Sequence, residues 1–132
     1  MKHSLAALAL LAAASAHADD GVAVTATPGI DNVQRQLVEA GNYYFKPNHI
    51  KVQVGKPVEL MIQLAPGIAK HDFTIDAPEG DLHVKQQLEN DVTLVRFTPT
   101  KVGSYEFFCA NQFWVLKSHK EQGMHGVLEV VE

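Results

Sequence analysis

The sequence predicts an all-β domain, an antiparallel Greek-key β-sandwich or barrel, and three observations carry that expectation. Apolar residues recur at every second position in run after run, the pattern of strands with one buried face. The runs are short and are separated by turns rich in Gly and Pro. The chain has 132 residues, enough for one such domain once a leader is set aside.

Taken in order, residues 1–18 read as a secretory signal peptide. Met1-Lys2-His3 is a short positive start, Leu5 to Ala14 is apolar but too short to span a bilayer, and Ala16-His17-Ala18 has the small-residue pattern of a cleavage site. No cysteine follows the apolar run, as a lipoprotein would require, and no twin arginine is present. The expectation is export in the unfolded state to the periplasm, with any metal loaded afterwards, and a mature chain that does not span the membrane. Residues 19–31 read as a flexible or edge-like leader, and residues 32–132 as the folded domain.

Within that domain Val33 to Val38 reads as a strand. Ile50, Val52 and Val54 alternate with polar residues up to the turn Gly55-Lys56-Pro57, and Val58, Leu60 and Ile62 point to the core on the other side of it. Ala65-Pro66-Gly67 breaks that run. Phe73 and Ile75 flank Thr74 in the next strand, Leu82 to Glu89 reads as a strand or one helical turn, and Val92 to Phe97 as a further strand. Thr98 to Gly103 is a turn. Ser104 to Phe108 is a strand ending at Cys109, Lys117 to Gln122 reads as a helical turn, and Val127 to Val131 closes the chain. With simple hairpin connections, Cys109, His71, Pro47-Asn48-His49 and the start of the last strand all fall at one end of the sandwich.

Charge narrows the partners. Removal of residues 1–18 takes away Lys2 and no acid, so the formal charge goes from −4 to −5. An acidic domain without basic clusters argues against nucleic acid and anionic membrane surfaces. The single cysteine rules out an internal disulfide. In an oxidising compartment it is buried, metal-bound, paired with another chain or catalytic.

The company it keeps favours metal. Cys109-x9-His119-x4-Met124 follows a strand, and His71 stands at another strand edge. One thiolate, two imidazoles and a weak thioether form a soft three-plus-one set suited to copper cycling between Cu(I) and Cu(II). Zinc rarely takes a thioether, so Met124 argues against a structural zinc site. A Cys109–His119 nucleophile pair lacks any evident acidic partner or oxyanion-hole motif.

The pieces YYFKPNHIKVQVGKPVEL, KHDFTI, FTPTKVGSYEFFCAN and H-x4-M-x-G occur in order, and on them the chain resembles the cupredoxins, the type 1 copper proteins, over Val33 to Glu132. The long Cys-to-His loop is similar to that of the type 1 domain of copper nitrite reductases and of small periplasmic green cupredoxins of bacterial copper tolerance, the CopI type. The resemblance implies one type 1 copper ion held by His71, Cys109, His119 and Met124. Asp72 stands where many relatives have Asn, and from behind the ligands its carboxylate is expected to alter the potential. Asn111 is expected to pin the loop through its side chain.

Two features stay open at this level. Phe113, Trp114, Val115 and Leu116 either cap the core or form an apolar patch where a redox partner docks. His49, His125 and Met61 are either ordinary surface residues or parts of a second, exposed site for additional copper. The implied function is copper tolerance through binding Cu(I) and oxidising it, at most a cuprous-oxidase-like redox activity. The alternative is a mobile electron carrier serving a periplasmic reductase or terminal oxidase.

Overall fold

A computed structural model describes residues 21–132, and the expected signal peptide lies outside those residues. Two β-sheets face each other. One has the order β1 (Val24–Thr25), β5 (His49–Gln53), β11 (His125–Val131), β10 (Gly103–Phe108), β7 (Asp72–Ala77) and β8 (Leu82–Gln87). The other has the order β2 (Thr27–Pro28), β3 (Gln34–Gly41), β6 (Val58–Leu64) and β9 (Val92–Phe97), with β4 (Tyr44–Lys46) added beside β3. Among the described residues no helix is long and apolar enough to cross a membrane.

The alternation read from the sequence is the alternation of burial. Ile50, Val52, Val58, Leu60, Ile62, Phe73, Ile75, Phe107, Leu128 and Val130 face inward and are buried. Phe45 of one sheet meets Phe73 and Phe107 of the other edge-on, with ring centres 5.8 and 5.4 Å apart, and Phe73 stacks on Phe107 at 5.2 Å. These rings fix the spacing of the sheets at the end where β7 begins and β10 ends.

Three details differ from the expectation. β1–β5, β5–β11 and β3–β6 are parallel pairs, because the chain crosses between the sheets from β1 to β2 and from β5 to β6, so these partners are not joined by a hairpin. Of the two readings of the 19–31 leader, flexible or edge-like, the described part from residue 21 on has the edge-like one. Val24–Thr25 pairs with β5, Thr27–Pro28 pairs with β3, and Ala26, small enough to be buried between them, donates its N–H to Lys51 O at 2.9 Å. The domain therefore starts before residue 32. Tyr44–Lys46, too short to show a period, is a strand of its own. The ambiguous Leu82–Glu89 segment resolves into strand β8.

The register sets the functional end. Phe108 lies opposite both His125 and Thr74, and Val127 lies opposite His49. Cys109, the start of β7 at Asp72, and the starts of β11 and β5 are thus gathered at one end, as the hairpin argument anticipated. At the other end Gln34 clamps the β5–β6 turn. Its amide donates to Gln53 O and Lys56 O at 3.0 and 3.2 Å and accepts from Gln53 N–H at 2.6 Å.

Candidate metal centre

Each donor is placed by backbone hydrogen bonds. Cys109 follows β10, and its N–H donates to Met124 O at 3.0 Å. His71 immediately precedes β7, and its carbonyl accepts from Leu88 N–H at 2.9 Å and from the Gln87 amide at 2.6 Å. His119 donates its N–H to Asn111 O at 2.9 Å, and its carbonyl accepts from Met124 N–H at 3.0 Å. The expected helical turn at 117–122 is a single turn closed by a reciprocal cap. Ser118 N–H donates to Glu121 Oε2 at 2.7 Å, while Glu121 N–H donates to Ser118 Oγ at 3.2 Å. The S-x-x-E pattern of Ser118 and Glu121 is the sequence signal of this cap.

These constraints bring together the four residues expected to act together. Cys109 and Met124 are fully buried, His71 is buried, and His119 is 6% exposed. The two Nδ1 atoms of His71 and His119 are 3.2 Å apart, and they lie 3.9 and 3.5 Å from Cys109 Sγ. The point equidistant from the three atoms is about 2.1 Å from each, close to metal–imidazole and metal–thiolate bond lengths. Three donors converging at that radius, with a buried thioether residue tied by its backbone to two of them, fit a trigonal metal better than they fit one another. Among the described residues this is the one group of three or more His, Cys, Asp or Glu side chains spaced to hold an ion.

The electrostatics of the pocket follow from burial. Desolvation pushes the Cys109 thiol above its ordinary value, and the N–H groups of Asp72 and Asn111 pull it partly back. Burial, and then His119 beside it, hold the His71 imidazole below its ordinary value, with Asp72 acting in the opposite sense. Asp72 N–H donates to Cys109 Sγ at 3.3 Å. The buried Asp72 carboxylate accepts from Thr74 Oγ1 at 2.8 Å and from Ala110 N–H at 2.9 Å, so it ties β7 to the residue after the thiol. Asn111 pins the loop through its backbone, at Cys109 and at His119.

A residue the sequence did not single out stands against the site. The Tyr43 ring meets the His119 ring edge-on at 5.2 Å, from a backbone held at φ +70°. Left-handed backbone in a Tyr leaves no trace in sequence periodicity.

The open features are decided in part. Phe113, Trp114, Val115 and Leu116 do not cap the core. They form a projecting turn with Trp114 at φ +55° and 85% exposed and Val115 88% exposed, closed by Leu116 N–H to Phe113 O at 3.1 Å. Met61 does not join His49 and His125. Met61 lies on the outer face of β6, whereas His49 and His125 lie on the outer face of the other sheet. His49 Nε2 is instead 2.9 Å from Glu129 Oε2. Strand alternation sends these side chains to opposite sides of the sandwich, which a reading by strand end alone misses.

The family model described as "Cupredoxin-like domain" matches residues 3–128. No curated protein matches. Similar solved structures include the metal-binding domain of the Cu(I)-exporting P-type ATPase CopA of Streptococcus pneumoniae D39, solved with Cu(I). It is 22% identical, with 83% of this chain and 96% of that one covered and a TM-score of 0.61. Dithionite-reduced auracyanin of Roseiflexus castenholzii is 17% identical, with 74% and 97% covered and a TM-score of 0.60. The copper-containing nitrite reductase of Thermus scotoductus SA-01 is 21% identical over 73% of this chain but only 22% of its own, with a TM-score of 0.51. At these identities the likeness speaks for the fold.

Proposed function

Because the chain belongs to the cupredoxin-like family, we propose that it is exported to the periplasm and there holds one copper ion in a type 1 centre formed by His71, Cys109, His119 and Met124. The observation that carries this reading is the convergence of two Nδ1 atoms and one Sγ on a point about 2.1 Å from each. A bound copper would supply a one-electron Cu(I)/Cu(II) couple. The residues around it exclude water, supply the thiolate and aim two backbone N–H groups at the sulfur. In this reading the protein serves copper tolerance by binding copper and, with a periplasmic electron acceptor, converting Cu(I) to Cu(II).

Titration of the apo protein with Cu(II) is expected to saturate at one equivalent with an intense thiolate-to-copper absorption band. A colourless Cu(II) complex would sink the type 1 assignment. Cells lacking the protein are expected to be copper-sensitive, and normal growth on copper would remove the tolerance role while leaving the centre standing.

The exposed turn from Phe113 to Leu116 favours a second reading, a mobile electron carrier that docks a periplasmic redox protein at this end. Under it, loss of the protein impairs a periplasmic reduction and leaves copper tolerance unchanged.

Asp72 offers a finer test. An Asn side chain keeps the acceptor oxygen used by Thr74 and Ala110 and removes only the charge. A charge about 4–8 Å away at an effective dielectric near 20 is worth at most about 2–4 kcal/mol. Asp72→Asn is therefore expected to raise the reduction potential by tens of millivolts and at most by roughly 180 mV, the one-electron equivalent of about 4 kcal/mol, read by redox titration of the copper form. An unchanged or lower potential would show that the carboxylate is neutral or screened.

A further inference from the structure

The outer face of the β3–β6–β9 sheet carries a pattern that the metal site does not use. Leu37, Met61 and Leu94 stand opposite one another across three strands and form an apolar row through the middle of the sheet. Leu37 is 55% exposed and Leu94 42% exposed. On one side lies the row Arg35, Glu59 and Arg96. In it Arg35 Nε donates to Glu59 Oε1 at 3.1 Å, and Arg96 Nε donates to Glu59 Oε2 at 2.6 Å. On the other side lies the row Glu39, Gln63 and Val92, with Lys46 of β4 beside Glu39. A row of two arginines around Glu59, with Arg35 also held by Asp31, an apolar row and an anionic-to-neutral row thus follow one another along the strands.

We propose that this face is a homodimer interface, its occupant a second copy of the same chain related by a twofold axis that runs along the Leu37–Met61–Leu94 row. The charge pattern selects this axis. A twofold in the sheet plane and across the strands reverses strand direction, so each strand faces its own copy with the rows exchanged. Arg35 then faces Glu39 of the second copy, Glu59 faces Gln63, and the Arg96 stem lies over Val92. Lys46 comes opposite the edge where Asp31 is held to Arg35 at 2.8 Å. The apolar row meets itself on the axis and is removed from water. A twofold along the strands would instead set like rows on like rows, and the arginines would face each other. The alternation that builds the core explains why an apolar residue at Met61 is otherwise unaccounted for, because its neighbours Glu59 and Gln63 are the polar residues that an outer face requires. Strand reversal sends the two metal-bearing ends to opposite poles, so both projecting Phe113–Leu116 turns remain free.

The face is small for an obligate interface, so association is expected to be concentration-dependent. Sedimentation equilibrium of the purified protein from micromolar to about millimolar concentration should show a shift toward twice the monomer mass. Met61→Glu places two carboxylates against each other on the axis and should weaken the dimer at least tenfold. Glu39→Lys sets a cation against Arg35 of the second copy and should weaken it severalfold, with a diminished salt dependence. Both side chains point outward, and far-UV circular dichroism confirms that the variants fold. A protein that stays monomeric throughout the range overturns the proposal. So does a dimer whose dissociation constant neither variant moves, since it would associate through another surface, and a mass that rises beyond the dimer, since a twofold face closes.

Discussion

Cys109→Ser should fold, lose the thiolate-to-copper band entirely and bind copper more weakly by well over the roughly 10–100-fold that removal of an outer hydrogen-bond partner costs. The two halves of this expectation have separate causes. Folding survives because Cys109 is a small, fully buried side chain whose structural work is done by the backbone, through its N–H to Met124 O. The serine hydroxyl remains within reach of the Asp72 N–H that now points at the sulfur. The destabilisation should stay near 1 kcal/mol, the order expected for burying a hydrogen-bonded hydroxyl. Copper is lost because oxygen is a poor, hard replacement for the one soft anionic donor, and what remains is the two imidazoles of His71 and His119 with the weak thioether of Met124. Absorption spectroscopy, a competitive copper titration and a thermal melt on one preparation read both halves. A variant that keeps the band would place the colour elsewhere. One that fails to fold would make Cys109 a core residue first and a ligand second.

What the sequence made legible, and what it did not, divides along the same line between local pattern and long-range juxtaposition. Periodicity of two at Ile50, Val52, Leu60 and Ile62 reads out burial directly, because each side chain's face follows from its neighbours. The ligand set was legible because Cys109, His119 and Met124 are chemically unusual and close in sequence, and the KHDF piece identified His71. Parallel pairing was not legible, since β3 and β6 meet only after the chain has crossed between sheets. The edge role of Val24 to Pro28 was hidden for a related reason. Two-residue strands have no period, and they are ordered by pairing with β5 and β3. Met61 shows the limit most clearly. Its place on the outer face of a strand follows from alternation, yet whether it shares a face with His49 depends on which sheet each strand belongs to. The Phe113–Leu116 turn is the converse case. Apolar composition suggested burial and exposure about equally, and only the turn closed by Leu116 N–H shows that the run projects outward.

The same juxtaposition makes Gly126→Ala the substitution with the largest expected effect on the fold. In H-x4-M-x-G the glycine looks like an ordinary turn residue, but it lies inside β11 and is buried. A methyl group there would run into the carbonyl oxygen of Asn48 and the ring of Phe107. Neither wall yields readily. Asn48 O already accepts Val127 N–H at 2.8 Å, and Phe107 is fully buried and stacked on Phe73. Overpacking of this kind costs about 1–3 kcal/mol, and two rigid walls put the expectation at the upper end, near 3 kcal/mol. In a domain of this size that corresponds to roughly a 10 °C fall in Tm. The damage should also reach the metal end. Gly126 and His125 make the first pairings of β11 with Phe107 and Phe108, and the preceding Met124 carbonyl holds the Cys109 N–H. Displacing the start of β11 therefore moves the thioether and the thiolate together, and the copper spectrum should shift along with the melt. Gly55→Ala is the matched control. Its strain is that of φ +76° with no heavy atom within 4 Å of the added methyl, at the opposite end of the sandwich. It should cost about 1 kcal/mol and leave the copper spectrum unchanged. If Gly126→Ala melts no lower than Gly55→Ala, the close approach of β11 to Asn48 and Phe107 does not hold the metal end together.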